Sequence, residues 1–362
     1  MNDTAGTLVK GQKVAVVGAG ICGSLTAWFA QLSGLQVHVF ESDEHKKSCS
    51  FTAAGMLAPM AELESSSDDI YQLGKHSIEL WPSIIDSLPQ KIFYRTSGTL
   101  VVSHRQDRGS YQQFVKSLQV KLNHNFNQEC ELLSCHSLER HPLEPELTNL
   151  GEALHLKNEA QVDGNQALKA LHGTLKKKAH WHVKDVNDIN AFNVDGETFD
   201  WVFDCRGLKA SKDIVGLHGV RGEVITVKAP QVNLFHMVRV MHPRYRIYIV
   251  PRENHHYMIG ATEIQSDDDG PVSVRSTLEL LSAAFSVHSG FAEARIISLN
   301  SHVRPTTMDH QPFIETQPGL TRLNGLYRHG FLLSPAVVAK VFNGLGMDVS
   351  EYLTGEPYAH CV

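Results

Sequence analysis

The chain lacks any apolar run approaching the roughly 20 residues that span a bilayer. Its opening stretch, Met1–Lys13, lacks the apolar core of a signal peptide. These two absences predict a cytoplasmic protein without a membrane partner. Positive charge is not in excess: 33 Lys and Arg face 39 Asp and Glu, a formal net charge of −6. A nucleic-acid binder shows the opposite, a basic surface. Cysteine is sparse and unpatterned. The six, at positions 22, 49, 130, 135, 205 and 361, form no CxxC pair, so no four-ligand zinc site is spelled out and free thiols are expected. No metal is expected elsewhere. His180 and His182 share a strand face, but with 21 histidines such a pair is ordinary chance, and Asp267-Asp268-Asp269 lacks the further ligands of a calcium loop.

What is present is a chain of 362 residues, 42% hydrophobic and 20% charged, long enough for two domains and a core that needs no staple. Val14–Val17 is a short apolar strand that runs directly into Gly18-Ala19-Gly20-Ile21-Cys22-Gly23. A helix is predicted from Ser24 to Leu32, then a strand over Val37–Phe40 that ends at Glu41, 18 residues beyond Gly23. That order is a βαβ unit with a GxGxxG turn in its proper context. Gly18 makes the tight turn, Gly20 lets a pyrophosphate reach the backbone, and Gly23 lets helix and strand approach closely. The helix N-terminus offers unpaired N–H groups and the positive end of a dipole to phosphate. Glu41 accepts from ribose hydroxyls and repels a 2′-phosphate, which disfavours NADP. The βαβ unit leaves NAD and FAD both open.

Helices are also predicted over Asp69–Leu88, Arg108–Leu122, Ala167–Lys178, Val274–His288 and from about Ser334 to Leu345. Strands are expected at Lys91–Ser103 around Gly98, Trp181–Ile189, Trp201–Asp204, Glu223–Val227 and Arg295–Val303. Arg246–Val250 and Tyr257–Ala261 flank a polar turn at Glu253-Asn254-His255 and read as a hairpin. The fold class is α/β: a Rossmann-type nucleotide domain carrying an inserted antiparallel-sheet domain of α+β character.

Beyond Glu41, the segment Ser50-Phe51-Thr52-Ala53-Ala54-Gly55-Met56-Leu57-Ala58-Pro59 resembles the flavin-contacting segment of the D-amino-acid oxidase superfamily, in its glycine oxidase (ThiO-type) branch. The resemblance continues in Tyr248–Arg252, Ile259–Glu263, Val303-Arg304-Pro305 and Leu326–Pro335, in the family's order. It implies an FAD domain from residues 1–90, 151–219 and 296–362, and a substrate domain from 91–150 and 220–295. It implies non-covalent FAD held by Gly18, Ala19, Gly20, Ile21, Cys22 and Gly23, by Glu41 and Ser42, and by Ser50, Thr52, Ala53, Ala54, Gly55 and Met56. Val186, Cys205, Gly207, Arg304, Gly330, Phe331, Leu332 and Leu333 complete that set.

For the substrate, the resemblance places Met56 beside the flavin, Tyr248 in the cavity wall, and Arg304 and Arg328 on either side of a carboxylate. A guanidinium fork matches a carboxylate geometrically. Taken alone, Tyr248 and Met56 read equally as core, and a lone arginine as a surface ion pair. The implied activity is oxidative deamination of glycine or a similar small amine, by hydride transfer to flavin N5, with O2 reduced to H2O2 and a role in making the thiazole of thiamine. No side chain is assigned as catalytic, because the flavin does the chemistry. A sarcosine or D-amino-acid oxidase of the same fold shares these motifs, and a flavoprotein acting on a partner protein is a second alternative. Relatives suggest a homo-oligomer. Two departures stand out: Ser42 occupies a position where many relatives carry a basic residue, and Cys205-Arg206-Gly207 replaces a turn of small residues.

Overall fold

The computed structural model describes residues 6–42, 48–134, 144–150, 152–242 and 246–349. The apolar runs at Val14–Val17 and Trp201–Phe203 become adjacent parallel strands, because a parallel sheet is covered on both faces and favours apolar residues throughout its strands. They lie at the centre of a six-stranded sheet ordered Phe313–Gln317, Leu320–Asn324, Trp201–Asp204, Lys13–Val17, Gln36–Glu41 and His180–Val183. All neighbours run parallel except the edge pair Phe313–Gln317 and Leu320–Asn324.

Helices Ile21–Leu32, Gly164–Lys178 and Gly330–Gly344 share one core with this sheet, including Leu25, Phe29, Leu171, Phe203 and Phe342. Asp68–Asp86 packs outside the last of these, where the Trp81 indole N–H donates to the Phe331 carbonyl at 3.0 Å.

A second sheet has eight strands, ordered Arg295–Thr306, His218–Lys228, His256–Gly260, Arg246–Arg252, Met237–Met241, Thr99–Ser103, Ala153–Leu156 and Cys130–Leu133. The hairpin expected around Glu253-Asn254-His255 is present, with Ile249 facing Ile259 and Pro251 facing Tyr257. Side chains alternate between two cores, as a pleated strand requires. Leu100 and Val102 join the Val274–Val287 helix side, while Val101 joins Phe114 and Leu118 of helix Arg108–Leu122. A small three-stranded sheet of Met56–Leu57, Ala160–Val162 and Tyr94–Arg95 lies between the two large ones in the chain.

Several expectations need correction. Both helices that open on glycine begin earlier than predicted, at Ile21 and Gly330. Lys91–Ser103 does contain two strands, but Gly98 turns the chain from the small sheet at Tyr94–Arg95 into the large one at Thr99–Ser103. Trp181–Ile189 is broken after Val183, and the loop Lys184–Asp188 turns outward. Strands Met237–Met241, Phe313–Gln317 and Leu320–Asn324 went unread. Phe313–Gln317 is an exposed polar edge without an alternating pattern. Strands Ala153–Leu156 and Arg295–Thr306 belong to the eight-stranded sheet, although they fall almost wholly in the segments 151–219 and 296–362 expected to build the FAD domain. Cys22, Cys49, Cys130 and Cys205 are free thiols, while Cys135 and Cys361 lie outside the described residues. Among the described residues no helix is long and apolar enough to cross a membrane, and no cluster of three potential metal ligands forms.

Candidate cofactor and substrate site

The glycine turn is set by steric necessity. Gly18 sits at φ +95°, and a Cβ there would lie 2.6 Å from the Cys205 carbonyl oxygen. A Cβ on Gly23 would fall 1.8 Å from the Gly18 carbonyl oxygen, so helix and strand meet only because it is absent. Helix Ile21–Leu32 therefore starts flush against the turn, with no side-chain cap on Gly20. The Glu41 carboxylate accepts from the Ala19 amide and, at 2.9 Å, from the Ser42 amide. The Ser50 hydroxyl accepts from the Ile21 amide at 3.0 Å.

A groove opens over this turn, lined by Gly18, Gly20–Gly23, Glu41, Ser42, Ser50, Val186, Cys205 and Gly207. It brings together residues from five separate stretches of chain. Ala19, also expected to hold the cofactor, is buried beneath the groove and is not among the residues lining it; its amide donates to Glu41 and its carbonyl accepts from the Ser24 hydroxyl. The basic partner missing at Ser42 arrives from elsewhere: Lys209 Nζ lies 3.3 Å from the Ser42 hydroxyl and 2.7 Å from Asp185. Arg206, by contrast, is committed to Asp204 at 2.8 Å and Asp213 at 2.6 Å.

The groove continues past Ile21, Cys49, Ser50, His302, Tyr327 and Gly330 into a second cavity. One wall of that cavity is Thr52–Met56, turned by Gly55 at φ +63°, where a Cβ would lie 2.0 Å from the Val162 carbonyl oxygen. Arg252, on the hairpin, holds this wall in place. Its guanidinium is buried, donates to the Ala54 carbonyl, the Gln161 side chain and, at 3.2 Å, the Val162 carbonyl, and burial lowers its pKa to about 10.

The floor is the N-terminus of helix Gly330–Gly344, with Phe331 and Leu332 in the cavity wall. Leu333 is wholly buried in the core and faces neither opening. Thus two helix N-termini face one continuous cleft, each able to stabilise negative charge. This cleft, with its obligatory glycines and two dipole ends, suits a dinucleotide that ends in a polarisable ring.

The opposite wall comes from the eight-stranded sheet. Tyr248 packs over Gly260, where a Cβ would lie 2.8 Å from the phenol oxygen, and its burial raises the phenol pKa against the opposing pull of Arg304. Met56, like Tyr248 and Met258, packs against the buried cluster of Ala54, Met237 and Val250. Arg304 lies across Gly222, where a Cβ would meet the guanidinium at 1.9 Å, and it donates to the Thr262 carbonyl at 3.3 Å. Among the described residues Arg304 has no carboxylate partner.

Arg328 is different. It pairs with Glu62 at 2.5 Å and Glu263 at 3.2 Å, and donates to the Ser65 hydroxyl at 3.2 Å. Burial lowers its pKa, but the two carboxylates outweigh that and keep it above the ordinary arginine value. The two arginines expected to bracket a substrate acid do line one cavity, yet of the two Arg304 alone has no carboxylate beside it among the described residues.

Four further polar residues went unforeseen. Glu62 and Glu263 line the cavity, as does Arg239, which stacks over Phe114 and lies 3.5 Å from Glu64. Cys49, one residue before the flavin-contacting segment, lines both openings and was not among the residues expected there. Glu263 was visible at the end of a quoted block, but its register toward Arg328 was not. Arg239 sits on a strand that went unread. His329 and His302 border the cavity, and burial lowers both, His329 to about 4, so both rings are neutral at pH 7. Behind the wall, Glu159 accepts from the Ala61 amide at 2.7 Å and caps helix Pro59–Leu63; its burial raises the carboxyl to about 7.

Cleft, glycine turn and paired helix ends define a flavin-dependent oxidoreductase, and comparison with known proteins agrees. The chain belongs to the DAO family of FAD dependent oxidoreductases, whose family model matches residues 13–342. It is 37% identical, over 335 residues, to a protein of Rhizobium etli assigned as the thiamine biosynthesis oxidoreductase ThiO, covering 91% of this chain and 95% of that one. It is 26% identical to the glycine oxidase of Geobacillus kaustophilus, over 89% of each chain. The crystal structure of a glycine oxidase from the same organism superposes with a TM-score of 0.80, at 23% identity, over 97% of this chain and all of that one. FAD is the cofactor, and the fold is the FAD-dependent α/β fold anticipated from the sequence.

Proposed function

We propose that the chain oxidises glycine or a similarly small amino acid to the imine, which water hydrolyses to an oxo acid and ammonia. The observation that carries this reading is Arg304: a guanidinium in a partly buried wall, without a carboxylate beside it among the described residues, in a cavity that shares lining residues with the dinucleotide groove. An amino-acid carboxylate is its natural complement. When bound, FAD would supply two-electron acceptor chemistry for a hydride from the substrate α-carbon, with O2 as the final acceptor and H2O2 as the product.

The chain's own residues position and exclude. Arg304 fixes the carboxylate, Tyr248 bounds the cavity, and Met56, Phe331 and Leu332 present apolar surface that keeps water from the reacting carbon. The helix end at Gly330 is placed to hold negative charge. FAD is held without a covalent bond. Residues of the six-stranded sheet and its helices form the cofactor body, drawn from segments 1–90, 151–219 and 296–362 apart from strands Ala153–Leu156 and Arg295–Thr306. The segments 91–150 and 220–295 supply most of the substrate body. We place the enzyme in the cytoplasm and, from the ThiO relative, in thiamine biosynthesis, where a glycine-derived imine serves the thiazole.

Peroxide release on adding glycine, sarcosine or D-alanine tests the reading. Turnover of glycine supports it, while turnover of sarcosine or D-alanine alone reassigns the chain to another amine oxidase of the same fold. No turnover with any amine contradicts it and favours action on a partner protein.

A further inference from the structure

Arg328, with Glu263, Tyr327 and His329, lines both the cavity and an adjoining vestibule that holds Ser65, Ser66, Asp309, His310 and Gln311, and these shared residues form the neck between the two. Glu62 holds it from the short helix Pro59–Leu63, and Glu263 from the segment that follows the hairpin. Two carboxylates on one guanidinium leave a net negative charge at this neck. Asp309 adds another on the vestibule side. His329, beside Arg328, is neutral and does not offset it. Deeper in, Arg239 is balanced by Glu64 at 3.5 Å, whereas Arg304 stands without a carboxylate among the described residues. The cavity is therefore polar along its length: negative at the neck, positive at Arg304.

We propose that Glu62 and Glu263 set substrate choice, admitting an amino acid with a single carboxylate and rejecting one with a second anion on the amine side. This rests on the amine-oxidase reading above. A zwitterion enters with its carboxylate toward Arg304, and its amine then lies toward the Glu62–Glu263 pair, whose oxygens accept N–H bonds. A second carboxylate on nitrogen or on the side chain meets like charge in a partly desolvated neck, where Coulomb terms are strong. Arg328 does not relieve this, because its charge is already shared by two acids. In this scheme Arg328 bridges the neck and Arg304 holds the substrate acid. Sarcosine passes, since N-methylation adds no charge; N-carboxymethylglycine and D-aspartate do not.

The test uses the FAD-loaded enzyme and two ligands of matched size that cannot be oxidised at an amine. Malonate is dianionic at pH 8, and its monoamide carries one charge. Binding is read from the change in flavin absorbance, so the result does not depend on turnover. The monoamide is expected to bind at least tenfold more tightly than malonate. Glu263→Gln, on the rim, and Glu62→Gln should each narrow that ratio at least threefold. In turnover, kcat/KM for N-carboxymethylglycine relative to glycine should rise in the same variants. Equal binding of the two ligands by the unmodified enzyme overturns the proposal, as does an unchanged ratio in both variants with flavin retained. If no amine is oxidised yet the binding ratios behave as stated, the amine-oxidase reading fails while the charge selection stands.

Discussion

Replacing Arg304 with alanine separates a substrate clamp from a structural arginine. Among the described residues the guanidinium makes one hydrogen bond, 3.3 Å to the Thr262 carbonyl, and lies against the bare backbone of Gly222. Its removal exposes no carboxylate, because none is paired with it among the described residues. Stability should change little, by about 1 kcal/mol or less, as for loss of one ordinary hydrogen bond. Ligand binding should change much more. A charge-assisted bond to a carboxylate contributes about 1.5–3 kcal/mol, which is a loss of roughly 10- to 150-fold in affinity. Absorbance titration of the FAD-loaded variant with glycolate, a carboxylate without an amine, gives the dissociation constant directly. A thermal melt in parallel gives the stability. An affinity within threefold of the unmodified enzyme, with flavin fully bound, refutes the assignment of Arg304 as the clamp.

Three further outcomes follow from the same geometry. Gly55→Ala places a Cβ 2.0 Å from the Val162 carbonyl oxygen at a φ of +63°, so a loss of about 2 kcal/mol or more is expected, read by urea denaturation together with weakened FAD retention. His329 has a pKa near 4 when folded against 6.5 in the unfolded chain, so both states are neutral above pH 6.5 and it adds nothing there. As pH falls from 6.5 toward 4 the unfolded chain takes up the proton first, and the fold loses up to about 3 kcal/mol, a component that His329→Asn should remove from the pH dependence of the denaturation midpoint. Lys209→Ala removes the amino group beside Ser42 and should weaken FAD binding severalfold, measured by fluorescence titration of the apoprotein, with little effect on the KM for the amine.

The nucleotide half of the site was legible because its determinants are local. A tight turn, a helix start and an acid at the next strand end lie within Val14–Glu41, and each imposes a residue type on its own position. Segment Thr52–Met56 and the Tyr248, Arg304 and Arg328 positions were legible only through family likeness, since none has a local pattern that separates wall from core. Least legible was the charge arrangement. Glu62 and Glu263 are 201 positions apart in the chain, and only the folding of a short helix against the end of a hairpin brings both to Arg328. Lys209 beside Ser42 has the same origin: a residue expected next in sequence is supplied by another loop. Leu333 erred in the opposite sense, because a helix that starts at Gly330 turns its fourth residue into the core.

The central claim is that a small amine is oxidised at FAD in this cleft. Anaerobic addition of glycine to the purified yellow protein, followed in the visible spectrum, tests it most directly. The account predicts bleaching of the flavin band and its return when air is admitted, with peroxide formed in step. A spectrum unmoved by glycine, sarcosine and D-alanine alike would contradict it.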